Sequence, residues 1–243
     1  MNPPNRGPDP VFAELDACGL NLQAVFDVQR LPEDLRGSLA ADAQACYRQL
    51  VLIGNLGPDF WQHATANGLR GAHPLDAFTR TRVVAWLDRR FPGVPHEWLY
   101  PGERLVALQS LGRLAGWHQP SPFMVGVNAA WGSWFAYRAA LLADTGLAPT
   151  EPFASTSPCE RCRDRPCVDA CPPRALHDGF DLAACSGWRL ATGSSCRDRC
   201  LARLACPAGA KHRYGEAQIA YHYARSLATL ARLAPPIDPK GNS

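Results

Sequence analysis

The chain has 243 residues, of which 47% are apolar and 19% are charged, and its formal net charge is +3. This length supports one good core, or one core with a small appendage, and the composition is that of a soluble globular protein. So small a net charge gives no reason by itself to expect nucleic acid as a partner. The longest charge-free run, residues 119–137, contains prolines and glycines, so we interpret it as buried core and not as a membrane span.

Secondary structure is predicted mainly from apolar periodicity and from Gly and Pro breakers. Strands are predicted at residues 20–28, 49–54, 123–127 and 134–142. Helices are predicted at residues 11–19, 59–67, 74–91, 103–115 and 214–233, with Gly19 as the C-cap of the first. The remaining segments are predicted as a loose lead (1–10), a loop with a short helix (32–45), turns (92–103), a tight turn (128–133), a linker (144–158) and a polar tail (234–243).

The first residues, MNPPNRGPDP, lack the apolar stretch of a signal peptide, so we expect a cytoplasmic, reducing location. In such a compartment, clustered cysteines are metal ligands more often than disulfides. Eight of the ten cysteines lie between residues 159 and 206. We interpret the two outside this segment, Cys18 and Cys46, as small buried apolar residues.

The eight clustered cysteines are spaced as in a bacterial-type ferredoxin, with a Cys-x-x-Cys start and two Cys-Pro pairs. Four thiolates surround each 4Fe–4S cluster, and in two-cluster ferredoxins the last cysteine of one run binds the other cluster. The first predicted ligand set is Cys159, Cys162, Cys167 and Cys206. The second is Cys171, Cys185, Cys196 and Cys200. The spacing departs from the usual pattern between Cys162 and Cys167 and between Cys200 and Cys206. Zinc, disulfides, or a single cluster with spare cysteines remain alternatives.

Beside the cysteines, the run Asn128-Ala-Ala-Trp-Gly-Ser-Trp-Phe-Ala-Tyr-Arg138 resembles a strand–turn–strand shared by two related groups. These are the CblC-type cobalamin-processing proteins and the epoxyqueuosine reductases, corrinoid iron–sulfur enzymes related to reductive dehalogenases. Residues 50–60, His73-Pro-Leu-Asp76 and residues 213–221 follow the CblC type, whereas the double cysteine quartet belongs to the reductase branch. The resemblance covers most of residues 15–230.

Three departures from these families matter. Asn128-Ala129 stands where the CblC type has His-Pro and the reductases have Asn-Pro. Tyr100-Pro-Gly-Glu103 has no Asp to match the reductases' acidic proton donor, for which Glu103 is a weak substitute. The helical repeats that grip tRNA in the reductases do not follow the cysteines, so epoxyqueuosine reduction is disfavoured and we expect no nucleic-acid partner.

The resemblance implies an α+β, nitroreductase-like antiparallel sheet with flanking helices and a loop-rich iron–sulfur insertion. We predict a corrinoid-binding domain at residues 11–149, a two-cluster module at 150–212, and a helix at 213–233 that packs back on the first domain. The resemblance implies corrinoid contacts by Asn128, Trp131, Gly132, Trp134, Phe135, Arg138, Arg213 and Tyr214. For the aromatic residues, ordinary strand core is an equal alternative. His118, His212 and His222 are considered as axial ligands but are more readily explained as structural.

The implied function is an iron–sulfur redox protein that binds a corrinoid such as cobalamin base-off and delivers electrons to its cobalt. It would act as an oxidoreductase of the cobalamin reductase or decyanase kind, with an external donor such as a flavodoxin, ferredoxin or reductase. Two alternatives are a 4Fe–4S electron-transfer protein without corrinoid and an epoxyqueuosine-reductase-like enzyme of tRNA modification. The sequence identifies no catalytic residue.

Overall fold

A computed structural model describes residues 9–37, 39, 43, 46–66 and 68–233 of the chain. The chain divides into two compact units. The first comprises residues 1–120, 126–158 and 208–213, and the second comprises residues 121–125, 159–207 and 214–243. Most of the predicted loose lead and all of the predicted polar tail lie outside the described residues.

The first unit is built on a four-stranded sheet in the order β1-β2-β4-β3, in which all neighbours are antiparallel. Its strands are β1 (Leu22–Asp27), β2 (Gln49–Leu56), β3 (His96–Tyr100) and β4 (Phe135–Ala143). The two central strands are the most apolar, and every residue from Leu50 to Leu56 is buried. Such a run suits a strand that is covered on both faces.

Both faces of the sheet are covered within the first unit. One face carries Leu22, Leu52 and Leu142, which belong to one apolar core together with side chains from the loops before β4. The described helices of the first unit are α1 (Ala13–Asp16), α2 (Glu33–Gly37), α3 (Asp59–Thr65), α4 (Pro74–Arg90) and α5 (Leu108–Leu114). Of these, α3 packs against β2 and α4 packs against β4.

The second unit consists of short helices and loops. Its helices are α6 (Pro158–Arg161), α7 (Pro166–Asp169), α8 (Leu182–Leu190), α9 (Leu201–Ala205) and the long α10 (Glu216–Leu233). α9 packs on α7, and α10 packs on α8. The final helix belongs to the same compact unit as the cysteines, and its packing on the first domain stays a prediction. Among the described residues, no helix is both long enough and apolar enough to cross a membrane.

Most predicted elements are present. The first helix is shorter than predicted: it ends at Asp16 with Ala17 as its C-cap, so the prediction of Gly19 as the C-cap is wrong, although Gly19 has a positive φ of +80°. The predicted strand at residues 123–127 is wrong, because Met124 has φ at +62° and the Ser121 hydroxyl donates a hydrogen bond across the turn to the Val125 carbonyl. The predicted helix at residues 103–115 begins only at Leu108. β3 lies within a segment that we interpreted as turns, since prolines flank this short edge strand.

Candidate functional site

Four thiols of the first predicted ligand set lie near one another in the second unit. Cys159 lies in α6, Cys162 follows it, Cys167 lies in α7, and Cys206 forms the C-cap of α9. Burial raises the pKa of the Cys167 thiol, and the neighbouring Cys206, Cys159 and Cys162 raise it further. The packing of α9 on α7 therefore brings a cysteine from the end of the segment to three from its start.

The other four cysteines surround a single cavity. Burial raises the pKa of the Cys185 thiol, and Cys200, Cys171 and Cys196 add to this effect, while Arg189 opposes it. All four of these cysteines line a cavity of about 330 Å³ in the second unit. Cys185 lies in α8 and Cys200 is the N-cap of α9, where its sulfur accepts a hydrogen bond from the Arg203 backbone N–H at 3.4 Å.

The walls of this cavity are largely apolar. They include Pro172, Phe180, Trp188, Leu201 and Tyr223. The Tyr223 hydroxyl hydrogen-bonds to Cys200 and to Arg203, and burial raises its pKa to about 12. Among the described residues, no three His, Cys, Asp or Glu side chains are grouped as a site for a metal ion, so both ligand sets stay predictions.

A buried arginine that was not predicted from the sequence, Arg189, lies beside the second ligand set. Arg189 is 9% exposed and donates hydrogen bonds to the Cys196 carbonyl at 3.2 Å, the Ser226 hydroxyl at 3.1 Å and the Tyr223 carbonyl at 3.1 Å. Its guanidinium lies 5.1 Å from the centre of the Tyr223 ring. One signal was available: Asp181 before an apolar run is a typical N-cap, and it would have predicted α8.

The predicted corrinoid contacts Asn128 and Gly132 form a tight turn in the first unit. Asn128 is fully buried, and its side-chain nitrogen donates to the Gly116 carbonyl at 3.1 Å. Its side-chain oxygen accepts from the Ala130 backbone N–H at 2.9 Å. The Asn128 amide therefore holds the turn together, and Gly132 closes the turn with φ at +62°.

The predicted aromatic contacts Trp131, Trp134 and Phe135 are all buried. Trp131 packs against Phe153 with ring centres 4.8 Å apart and meets Phe135 edge to face. The indole N–H of Trp131 has no hydrogen-bond partner among the described residues. The exposed Arg213 places its guanidinium 5.6 Å from the centre of the Trp134 ring.

Arg138 and Tyr214 are both buried, but they belong to different units. Arg138 donates from Nε to the Asn55 side-chain oxygen at 2.7 Å and stacks 4.4 Å from the centre of the Phe60 ring. Tyr214 lies 5.4 Å from the Arg203 guanidinium. Neither arrangement tests a contact with a corrinoid, and both predictions remain open.

The two isolated cysteines differ from each other. Cys18 is buried, as expected, and its thiol donates to the Leu15 carbonyl at 3.2 Å. The interpretation of Cys46 as a buried apolar residue is wrong, because its side chain is exposed. An exposed thiol far in sequence from both ligand sets makes Cys46 a useful control position.

His118 is a buried histidine of the first unit rather than an open ligand position. Its Nδ1 lies 3.1 Å from the Tyr137 hydroxyl, and the two rings are stacked with centres 6.5 Å apart. A Cβ at Gly126 would come within 2.3 Å of Nδ1, so the backbone closes over the ring. Burial, assisted by the charge of Arg113, lowers the pKa of His118.

We expect the lowered pKa of His118 to make the first unit less stable in mild acid. The His118 imidazole binds a proton near pH 6.5 in the unfolded chain but only at lower pH in the folded chain. The free energy of unfolding therefore falls as the pH drops below about 6.5. His118→Gln should flatten this dependence, as measured by urea unfolding followed through tryptophan fluorescence between pH 5 and 8. The exposed His63→Gln is the control; an unchanged pH slope in His118→Gln would contradict this assignment.

The fold of the chain is α+β and nitroreductase-like, with a four-stranded antiparallel sheet and flanking helices. No family model and no curated protein matches it. Solved structures of epoxyqueuosine reductases are similar: the Bacillus subtilis enzyme aligns with a TM-score of 0.52 at 12% identity, over 85% of this chain and 66% of its own. A selenomethionine-labelled epoxyqueuosine reductase aligns with a TM-score of 0.53 at 12% identity, over 85% of this chain and 66% of its own.

An epoxyqueuosine reductase in complex with an epoxyqueuosine-modified tRNA stem loop aligns with a TM-score of 0.52 at 13% identity, over 87% of this chain and 67% of its own. The expectation that nucleic acid is no partner therefore has no support from the comparisons. The Caenorhabditis elegans B12-trafficking protein CblC aligns over 95% of this chain and 96% of its own at 13% identity, but its TM-score of 0.48 is too low to argue from. The chain spans about two thirds of the reductases, and likeness at such identity shows the fold alone.

Proposed function

We propose that this chain is an iron–sulfur redox protein that binds two 4Fe–4S clusters and a base-off corrinoid, and delivers electrons to the corrinoid cobalt. When bound, the clusters supply one-electron transfer and the corrinoid supplies a reducible cobalt. Cys159, Cys162, Cys167 and Cys206 would hold one cluster. Cys171, Cys185, Cys196 and Cys200 would hold the other.

The observation that carries this proposal is that Cys171, Cys185, Cys196 and Cys200 line one cavity. The pKa of the Cys167 thiol is raised by burial and by Cys159, Cys162 and Cys206. The pKa of the Cys185 thiol is raised by burial and by Cys171, Cys196 and Cys200. Each group mixes cysteines that are far apart in sequence, as the crossed pattern of a two-cluster ferredoxin requires. The second group also encloses a cavity with apolar walls, which suits a cofactor whose potential depends on solvent exposure.

The residues around the second group would fix and protect the sulfur atoms. The Arg203 backbone N–H donates to the Cys200 sulfur, and the Tyr223 hydroxyl hydrogen-bonds to the same residue. Phe180 and Trp188 line the same cavity and make its wall apolar. Such hydrogen bonds stabilise the thiolate form that a metal cluster binds.

Two buried polar groups support the corrinoid part of the proposal. The Trp131 indole N–H in the first unit and both amide atoms of Gln218 in the second have no hydrogen-bond partner among the described residues. Both side chains are fully buried. Native proteins rarely leave such groups unpaired, because each unpaired group costs about 1–3 kcal/mol. A peripheral amide of a corrin ring is chemically able to pair with the Trp131 indole N–H of the first unit.

A second candidate is an electron-transfer protein with the same clusters and no corrinoid. The observation that favours it is the burial of Trp131, Trp134 and Phe135, whose rings pack within the first unit. Rings in that state serve as core, and they present no open face to a flat macrocycle.

Anaerobic spectroscopy separates these candidates. We expect broad iron–sulfur absorbance, about eight irons per chain, and a base-off spectrum when hydroxocobalamin is added. Trp131→Phe, which removes the unpaired indole N–H together with part of the ring, should weaken cobalamin binding without loss of iron. Iron with no spectral change of cobalamin would leave the electron-transfer candidate. Zinc in place of iron would overturn both.

A further inference from the structure

The proposed function does not use Arg189, which lies beside the second ligand set. Its side chain lines the same cavity as the four cysteines of that set. Three hydrogen bonds, to Cys196, Ser226 and Tyr223, hold its guanidinium in place. Two of these bonds connect α8 to α10, so a permanent positive charge on a buried side chain is fixed at the wall of this cavity.

The arginines of the first ligand set have a different environment. Arg161, Arg163 and Arg165 lie between Cys159 and Cys167 in sequence, and all three are exposed. Salt and water screen exposed charges, whereas a buried charge such as that of Arg189 acts through a medium of lower dielectric constant. Arg203 is buried as well, but it lies between Cys200 of the second set and Cys206 of the first and does not line the cavity, whereas Arg189 does.

We propose that Arg189 gives the cluster of the second ligand set a higher reduction potential than that of the first, so that an electron delivered to the chain comes to rest beside Arg189. This inference rests on the proposed function. Reduction adds one negative charge to the site, and a nearby fixed cation stabilises the reduced state more than the oxidised state. Hydrogen bonds to the Cys200 sulfur from the Arg203 N–H and the Tyr223 hydroxyl act in the same direction.

The step involves one electron and no bond making or breaking at the protein. A low-potential one-electron donor, such as a reduced ferredoxin or flavodoxin, is oxidised by one electron as the site is reduced by one. Arg189 keeps its proton throughout, because a guanidinium does not titrate in this range. The chain would therefore hold the electron at the second ligand set until an acceptor takes it.

A redox titration followed by electron paramagnetic resonance tests this assignment, with dithionite as the reductant. Wild-type protein should show two reduction steps whose equilibrium constants differ at least tenfold, which is 59 mV for a one-electron couple. Cys159→Ser should retain the higher-potential step and Cys171→Ser the lower. Arg189→Gln should lower the equilibrium constant of the higher-potential reduction at least tenfold. Arg189→Lys, which keeps the charge, should largely preserve this constant.

Arg197→Gln is the matched control, because Arg197 directly follows the ligand Cys196 but is exposed. It should shift neither step. The inference is overturned if Cys159→Ser retains the lower-potential step, a comparison that stands even where Arg189→Gln fails to assemble. It is also overturned if Gln and Lys at position 189 have equal effects, which would make hydrogen bonding, not charge, the cause. The predicted order of potentials without any cobalamin binding would support the inference and contradict only the corrinoid part of the proposed function.

Discussion

Replacing both Cys162 and Cys206 with serine should leave about four of the eight irons in place, because we assign both cysteines to one cluster. Each single variant should have the same effect as the pair, since one missing thiolate already breaks the set. Cys162→Ser combined with Cys171→Ser should remove nearly all the iron, because it breaks both sets. Iron and sulfide analysis of anaerobically purified protein measures each outcome.

This design tests the crossed arrangement rather than iron binding alone. If the cysteines bound clusters in sequence order, Cys162 and Cys171 would share one cluster, and Cys206 would belong to the other. The two double variants would then exchange their results. Cys46→Ser is the control, because its exposed thiol lies outside both groups and its loss should leave the iron content unchanged.

Gly132→Ala should destabilise the first unit by about 2–5 kcal/mol, the second large effect that we expect. Gly132 has φ at +62°, and a Cβ there would lie 2.0 Å from the Ala208 carbonyl oxygen. The facing Gly209 is equally crowded, since its Cβ would lie 2.0 Å from the Trp131 carbonyl carbon. Because backbone meets backbone here, neither side can move aside as a flexible side chain would.

Gly146→Ala separates the two contributions to this loss. Gly146 also has a positive φ, at +71°, but a Cβ there would meet nothing within 4 Å. It should therefore lose only the conformational part, about 1–2 kcal/mol. Urea unfolding followed by tryptophan fluorescence measures both variants. Equal losses from Gly132→Ala and Gly146→Ala would show that the contact with Ala208 does not matter.

The sequence predicted what depends on local pattern. The apolar runs of β2 and β4 identified the central strands. Cysteine spacing suggested two groups of ligands, because ferredoxin spacing is itself a local signature. These features follow from residues that are near one another in the chain.

The features that the sequence missed depend on contacts distant in the chain. β3 is a short strand between prolines, and only its pairing with β4 makes it a strand. Arg189 looks like a solvated helix residue, since its burial arises from partners 34 and 37 positions away, Tyr223 and Ser226. Met124 has a left-handed backbone conformation, although its apolar neighbours in sequence favour a strand.

The interlocking of Gly132 with residues 208 and 209 has a consequence for synthesis on the ribosome. The first unit is not complete until Ala208–Arg213 has emerged, and these residues follow all ten cysteines in the chain. A nascent chain that has only its sheet therefore lacks the backbone segment that packs against the Gly132 turn. Since domains fold as units during translation, every thiol of both ligand sets is already synthesised before the first unit can close.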